Sequence, residues 1–237
     1  MEITPLGDSA LLVRVVENFE DDPNDALNKV LAAKCGLEAA QIPGVVELAP
    51  AYTTVALFYD PARAIDAGAP IGNVLGWIEQ RICQALSNPR QTRADRIETT
   101  LVEIPVCYEQ EFGFDLEGVA RHAGVHWKEV VDLHCGAEYR VHCVGFTPGF
   151  PFLGGLPGKI ATPRRDVPRK EIPAGSVAIG GKQTGIYPIK SPGGWNVIGR
   201  TPLRLFDPQR NPPAVFRAGD RVRFRSITRE EFETIRH

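Results

Sequence analysis

Two stretches in the second half of this 237-residue chain hold the side chains best suited to chemistry. TPRRDVPRKEIPAG, residues 162–175, places Arg164, Arg165, Arg169 and Lys170 on a chain interrupted by Pro163, Pro168 and Pro173. An arginine fork pairs bidentately with a carboxylate or phosphate, and glycine-rich turns let backbone N–H groups approach the same anion. Residues 180–200 supply such turns, together with Lys182, Gln183, Thr184, Tyr187, Lys190, Ser191, Trp195 and Arg200. In SPGGWNVIGRTP, residues 191–202, Pro192 and the pair Gly193–Gly194 predict a tight turn that lifts Trp195 to a rim, and Gly199 leaves space beside Arg200. The expected site is therefore an anion or substrate site built from Arg164, Arg169, Lys182, Gln183, Thr184, Tyr187, Ser191, Trp195 and Arg200. The competing reading is a solvated strand edge blunted by charge, with Trp195 packed into a core and Arg200 paired locally.

Three other patterns fail on physical grounds. GFTPG, residues 145–149, has the outline of a nucleophile elbow, but the position that should donate an N–H to an oxyanion is Pro148, so Thr147 is not expected to act as a nucleophile. SVAIGGKQTG, residues 176–185, ends a strand in Gly-Gly-Lys, yet no helix can follow through Gly185 and Pro188, so it is not a phosphate loop of the Walker type. His134, Cys135, His142 and Cys143 invite a metal reading, but neighbours 142 and 143 on a strand point to opposite faces, and ordinary histidines and a buried thiol are expected, with no metal. Phe146, Phe150 and Phe152 crowd a turn-rich segment that cannot send all three into one core, so residues 145–155 are expected to form a partner surface.

The elements that must position these groups divide the chain in two. DSALLVRV reads as a strand, and PNDALNKVLAAKCGLEAA as a helix with Leu27, Val30, Leu31 and Leu37 at helical spacing. GVVELAP and TTVALFYD follow as strands joined around Ala51–Tyr52, and IGNVLGWIEQRICQALS as a second helix facing Val74, Leu75, Ile78, Ile82 and Leu86 inward. This β-α-β-β-α order predicts a small sandwich over residues 1–90 with both helices on one face. The polar NPRQTRADR marks a linker at about 88–97, and a second domain runs from 98 to 237. There IETTLVEIPVCY is a strand, and two short helices flank Gly124. Their spacing resembles a helix-turn-helix, but Glu129 and Asp132 on the second helix oppose phosphate contact. YRVHCVGF, GSVAIGG, GIYPI, GWNVIGRTPLRLF and DRVRFRSI are short strands between turns, which predicts a closed or nearly closed β-barrel and an α+β fold overall. Residues 145–213 contain 12 of the 23 glycines and 12 of the 20 prolines, so long loops are expected there.

Composition excludes several function classes. The formal net charge is −2, with 8 Lys+Arg against 13 Asp+Glu in residues 1–97 and 19 against 16 in residues 98–237. Halves of −5 and +3 give no field able to hold a polyanion, so no nucleic-acid partner is expected, while a local anion site in the second half is allowed. No apolar run approaches the roughly 20 residues of a membrane span. MEITPLGDSALLVRVVE lacks a basic-then-apolar leader, and five cysteines without a CxxC pair suit a reducing compartment, so a cytoplasmic location is expected.

GFTPGFPFLGGL, TPRRDVPRKEIPAGSVAIGGKQTGIYPIKSPGGWNVIGRTPLRLFDP and AGDRVRF, with GDSALLVRV near the start, closely resemble the allophanate hydrolase subunit 1 family. The resemblance is dense over residues 138–225 and looser over 17–43. It implies a small α/β N-terminal domain followed by a cyclophilin-like β-barrel. It further implies a component of an ATP-dependent 5-oxoprolinase, active beside a sister subunit of allophanate hydrolase subunit 2 type and a third hydrolase subunit. ATP with Mg would then be bound by the sister subunit or shared with it, and the chain alone is expected to be inactive. Two alternatives stay open within the resemblance, a protein inhibitor of a sensor histidine kinase and a carboxyltransferase component of a urea carboxylase-like system.

Overall fold

A computed structural model describes residues 2–87 and 99–236, so the expected linker lies outside the described residues. The chain divides into two compact units, Met1–Glu98 and Thr99–His237.

The first unit is a four-stranded antiparallel sheet in the order β1-β2-β4-β3, formed by β1 (Glu2–Pro5), β2 (Ala10–Arg14), β3 (Val45–Ala51) and β4 (Thr54–Tyr59). Helix α1 spans Pro23–Ala40 because Asp22 accepts hydrogen bonds from the Asn24 and Asp25 N–H groups and Pro23 occupies its first turn. It is followed by α2 (Pro61–Asp66) and α3 (Val74–Leu86). Leu11, Val13, Val55 and Leu57 alternate onto one sheet face, where they pack with Val30 and Leu37 of α1 and Ile78 and Ile82 of α3. Two elements exceed the expected order. The edge strand β1 pairs with β2 along Glu2–Arg14 to Pro5–Leu11, and α2 starts at Pro61 under the Asp60 cap.

The second unit is built on a seven-stranded sheet in the order β12-β9-β10-β7-β6-β13-β5. Its strands are β5 (Leu101–Val106), β6 (Glu138–Val144), β7 (Pro151–Gly154), β9 (Ser176–Gly180), β10 (Gln183–Ile186), β12 (Asn196–Arg200) and β13 (Arg221–Ser226). All neighbours are antiparallel except β13 and β5. Just past the edge strand β5, Cys107 exchanges two backbone hydrogen bonds of 2.9 Å with Arg200 at the end of β12, joining the two edges of the sheet. The expected barrel is therefore present, filled by Ile104, Val106, Tyr139, Val141, Leu153, Val177, Ile179, Ile198, Val222 and Phe224. The strand expected over 194–206 ends at Arg200, because Pro202 cannot continue the ladder.

Helices α4 (Leu116–Ala123) and α5 (Trp127–Gly136) meet at Gly124, whose φ of 68° is the left-handed conformation that glycine adopts freely. Val119, Ala120, Val130 and Val131 turn inward to the barrel core, so the helical pair is structural. A short two-stranded sheet, β8 (Arg169–Ile172) with β11 (Ser191–Gly193), is separate from the barrel sheet. The C-terminal helix α6 (Arg229–Arg236) has a reciprocal capping box, in which the Thr228 N–H donates to Glu231 and the Glu231 N–H donates to Thr228 Oγ1. Among the described residues no helix is long and apolar enough to cross a membrane.

Candidate functional site

Strand β9 is buried on both faces, and its alternation explains how the site forms. Val177 and Ile179 enter the barrel core, while Ala178 faces outward into a second apolar cluster with Phe150, Ile172, Tyr187, Trp195 and Val197. The glycines on this outer face make room for rings. A Cβ on Gly180 would sit 2.6 Å from the Trp195 indole carbons, and one on Gly185 would sit 2.9 Å from Phe150 Cζ. The glycine-rich stretch is thus a seat for aromatics, and its backbone is already committed: the Gly181 N–H donates to the Thr162 carbonyl oxygen at 2.8 Å.

The rings pack edge to face. Phe150 lies 5.6 Å from Trp195 at 85° and 5.1 Å from Tyr187 at 84°, and Phe152 lies 5.8 Å from Trp195 at 74°. Above them opens a cavity of about 420 Å³, lined by Phe146, Phe150, Phe152, Tyr187 and Trp195, by Arg164, Arg165 and Pro168, and by the turn Pro192–Gly194. Trp195 is 5% exposed and Phe150 2%, so both form the floor, whereas Phe146 is 65% exposed at the lip. Of the three phenylalanines expected on a partner surface, Phe150 belongs instead to the packed floor, because its ring is enclosed by Phe152, Tyr187 and Trp195. Burial pushes the Tyr187 phenol up, while a hydrogen bond from the Trp195 backbone and the charge of Arg164 pull it the other way.

The cations sort by what they touch. Arg169 grips the Asp115 carboxylate bidentately at 2.7 and 2.8 Å, and Arg165 donates to the same carboxylate at 3.0 Å. Lys190 pairs with Glu171. Arg200 Nε donates to the Ala174 carbonyl oxygen at 2.8 Å, outside the cavity lining. Arg164 differs: its guanidinium stands 5.7 Å over the Trp195 ring, at the rim, without an ion pair to any described residue. Lys182 and Gln183 lie at the β9–β10 turn, away from the lining residues, and Ser191 lies beside the lining residue Pro192 with its Oγ buried and without a hydrogen-bond partner.

Thr184 belongs to a different system, inside the barrel. Its hydroxyl donates to the Ala178 carbonyl oxygen at 3.0 Å, so its oxygen must accept from His134 Nε2 at 3.1 Å. His134 Nδ1 is then the acceptor for the Tyr108 hydroxyl at 2.8 Å, and that oxygen receives the Cys135 thiol at 3.5 Å. The chain runs in one direction through buried groups, and burial lowers the His134 pKa to about 3, keeping the imidazole neutral. These hydrogen bonds occupy both His134 ring nitrogens and the Cys135 thiol.

The sequence signature described as carboxyltransferase domain, subdomain C and D, matches residues 1–216. The chain belongs to this carboxyltransferase-domain family. It is 43% identical to the B-type subunit of 5-oxoprolinase from Bacillus subtilis (strain 168) over 98% of this chain and 95% of that protein. It is 46% identical to the B-type 5-oxoprolinase subunit of Escherichia coli O157:H7 over 77% of this chain and 78% of that one. Among solved structures, TTHA0988 superposes with a TM-score of 0.74 at 36% identity, covering 92% of this chain. This chain spans 40% of the TTHA0988 chain, so in that protein the carboxyltransferase-domain fold is one part of a longer polypeptide.

The Gly-Gly-Lys stretch of this carboxyltransferase-domain protein does not form a phosphate loop of the Walker type. It closes a tight β9–β10 hairpin with Gln183 opposite Gly180, and no helix N-terminus follows it to receive a triphosphate. What sequence reasoning missed was Asp115, which lies 50 residues from Arg165 and in no motif. The one signal for it was the cluster Arg164, Arg165, Arg169 and Lys170, two of whose arginines a buried carboxylate from elsewhere neutralises.

Proposed function

We propose that this chain is the B-type component of an ATP-dependent 5-oxoprolinase complex and that its aromatic cavity holds the substrate. The observation that carries the reading is the near full-length likeness to a 5-oxoprolinase component of that type, found together with a cavity of fitting chemistry. 5-Oxoproline is a five-membered lactam bearing a carboxylate. Its ring edge suits the walls formed by Phe150, Phe152 and Trp195, and its carboxylate suits the fork of Arg164 at the rim. Such a pose leaves the lactam carbonyl toward the mouth of the cavity, where a second protein can reach it.

In the complex the lactam opens to glutamate, coupled to ATP hydrolysis. This chain's part is to bind and orient the ring and to keep water from its apolar edge. The nucleotide, with Mg, sits on a sister barrel subunit, and a third hydrolase subunit completes the assembly. The exposed Phe146 at the lip supports an interface there, since exposed rings beside a binding cavity mark contact surfaces. A cytoplasmic setting accords with five free cysteines, of which Cys83 is exposed.

The test is co-expression with a sister subunit, followed by assay of 5-oxoproline-dependent ATP hydrolysis. The assembled complex turns over and the isolated chain is silent. Robust 5-oxoproline-dependent turnover by this chain alone would overturn the division of labour. A complex that hydrolyses ATP with no response to 5-oxoproline would remove the substrate assignment.

A further inference from the structure

Asp115 precedes α4, is 7% exposed, and has both carboxylate oxygens saturated. Oδ1 accepts from Arg165 Nη1 at 3.0 Å and Arg169 Nη2 at 2.8 Å, while Oδ2 accepts from Arg169 Nη1 at 2.7 Å and the Val197 backbone N–H at 2.8 Å. The Asp115 N–H returns a bond to the Val197 carbonyl oxygen at 2.9 Å, so the residue is locked to β12 from both sides. One carboxylate thereby joins three elements: the loop before α4, the barrel strand β12, and the basic strap 162–172.

The strap is also tied by its backbone: Thr162 exchanges two bonds with Gly181, the Pro163 carbonyl oxygen accepts from Asn196 Nδ2 at 2.8 Å, the Arg165 N–H donates to the Gly194 carbonyl oxygen at 2.8 Å in the turn that carries Trp195, and Arg169–Ile172 pairs with β11. Arg164 lies between the ties at Thr162 and Pro163 and those at Arg165 and Arg169. Its own side chain has no ion pair to a described residue to set its position, so the place of its guanidinium over Trp195 depends on the ties at Thr162 and Pro163 before it and on Arg165 and Arg169, held through Asp115, after it. The two paired arginines are also kept from the cavity anion by the same carboxylate, which leaves one fork, Arg164, facing the ligand.

We infer that Asp115 is a positioning residue of the cavity, latching the strap 162–172 to the barrel so that Arg164 alone is presented to a carboxylate ligand; this rests on the proposed 5-oxoproline substrate. The latch touches neither ligand nor reacting atoms. Its loss loosens the strap between its backbone ties at Thr162 and at β8, lets Arg164 leave the rim and releases two further guanidinium groups.

The strap carries its own reporter, because trypsin cuts after Arg164, Arg165, Arg169 and Lys170. In Asp115→Asn of the full chain, cleavage within residues 164–170 is expected to accelerate by about tenfold or more, since proteolysis follows the open population. In the assembled complex, KM for 5-oxoproline is expected to rise by about tenfold with kcat changed less than about threefold, the mark of lost ground-state positioning. A purely structural role lowers the folded fraction and leaves KM of the folded complex alone. Unchanged strap cleavage overturns the latch whatever the kinetics. A freed strap with unchanged KM, where Arg164→Gln does raise KM, overturns the positioning role. A freed strap with KM insensitive to both variants supports the latch and removes the substrate assignment. Should Asp115→Asn fail to fold, Arg169→Gln gives the same readouts while leaving Arg165 and the Val197 N–H on the carboxylate, and unchanged cleavage there overturns the latch.

Discussion

Arg164 and Arg200 are both anion-site candidates by sequence, and the structure gives them opposite expectations under the same substitution. Arg164 is exposed, makes no ion pair with a described residue and contributes only a ring contact of 5.7 Å, so Arg164→Gln should change stability by less than about 0.5 kcal/mol. If its fork holds a substrate carboxylate, the lost bond is charge-assisted and worth about 1.5 to 3 kcal/mol. The exposed rim screens it toward the lower figure, about 1.5 kcal/mol, which corresponds to roughly a tenfold rise in KM. Arg164→Lys keeps the charge and loses the fork, and should recover less than half of that effect on a logarithmic scale.

Arg200→Gln removes the donor that Ala174 accepts at 2.8 Å, beside the backbone bridge that joins the barrel edges. A bond of this kind is worth about 1 kcal/mol, which for a unit of this size lowers the melting temperature by about 3 °C. The KM of the folded complex should stay within about twofold of the native value, since Arg200 lies outside the cavity lining. The assay is steady-state kinetics with 5-oxoproline on the assembled complex, with thermal melts of the same preparations. Arg164→Gln with a native KM, or Arg200→Gln with native melting and a raised KM, would refute the assignment of the anion to Arg164.

Three further outcomes follow from the geometry. Gly180→Ala places a methyl 2.6 Å from the Trp195 indole, and overpacking of that kind should cost about 1 to 3 kcal/mol and shift tryptophan emission; native melting with native emission would show that the indole is not held there. Phe146→Asp should leave the chain folded, since the ring is exposed, and weaken assembly with the sister subunit in size-exclusion runs, whereas Phe150→Asp should unfold the floor and is no probe of the surface. On acidification, the unfolded chain takes up protons near pH 6.5 that buried His134 and His142 refuse until about 3 and about 4. Their folded pKa values are depressed, so stability is lost as pH falls below 6.5, by up to about 2.7 kcal/mol per pH unit for the pair. Melting between pH 7 and 5 measures this, and His134→Gln should halve the slope.

Much of the fold was legible because it rests on local rules. The helix over 23–40 was marked by Pro23 and by leucines at helical spacing, and Gly124 marked the break between α4 and α5. The elements that escaped were small but not unsigned. Asp60–Pro61 starts α2 and the Thr228–Glu231 capping box starts α6, yet each helix is too short for its periodicity to stand out. The strand β1 has no alternation to read, being an edge strand whose residues are largely exposed.

The site was legible by residue type and not by assignment, for a reason that lies in tertiary charge balance. Four cations between 164 and 170 announce that an anion is near, but a sequence does not say which of them a buried carboxylate has already claimed. Asp115 claims Arg165 and Arg169 from another element, and that pairing, with no local signature, is what sets Arg164 apart from the other two arginines. Glycines were ambiguous in the same way. Gly180 and Gly185 read as turn glycines that could open the backbone to an anion, yet a glycine opposite a ring and a glycine facing an anion serve one physical need, the close approach of another group to the backbone. Which group approaches is settled by the other face of the strand: Val177 and Ile179 fill the barrel, so Gly180 must face outward, where Trp195 waits. The Trp and Arg of the 191–202 block thus part company. Trp195 stands just before β12, over Gly180 on the cavity floor, whereas Arg200 ends that strand opposite Ser176, where the bridge to Cys107 closes the barrel.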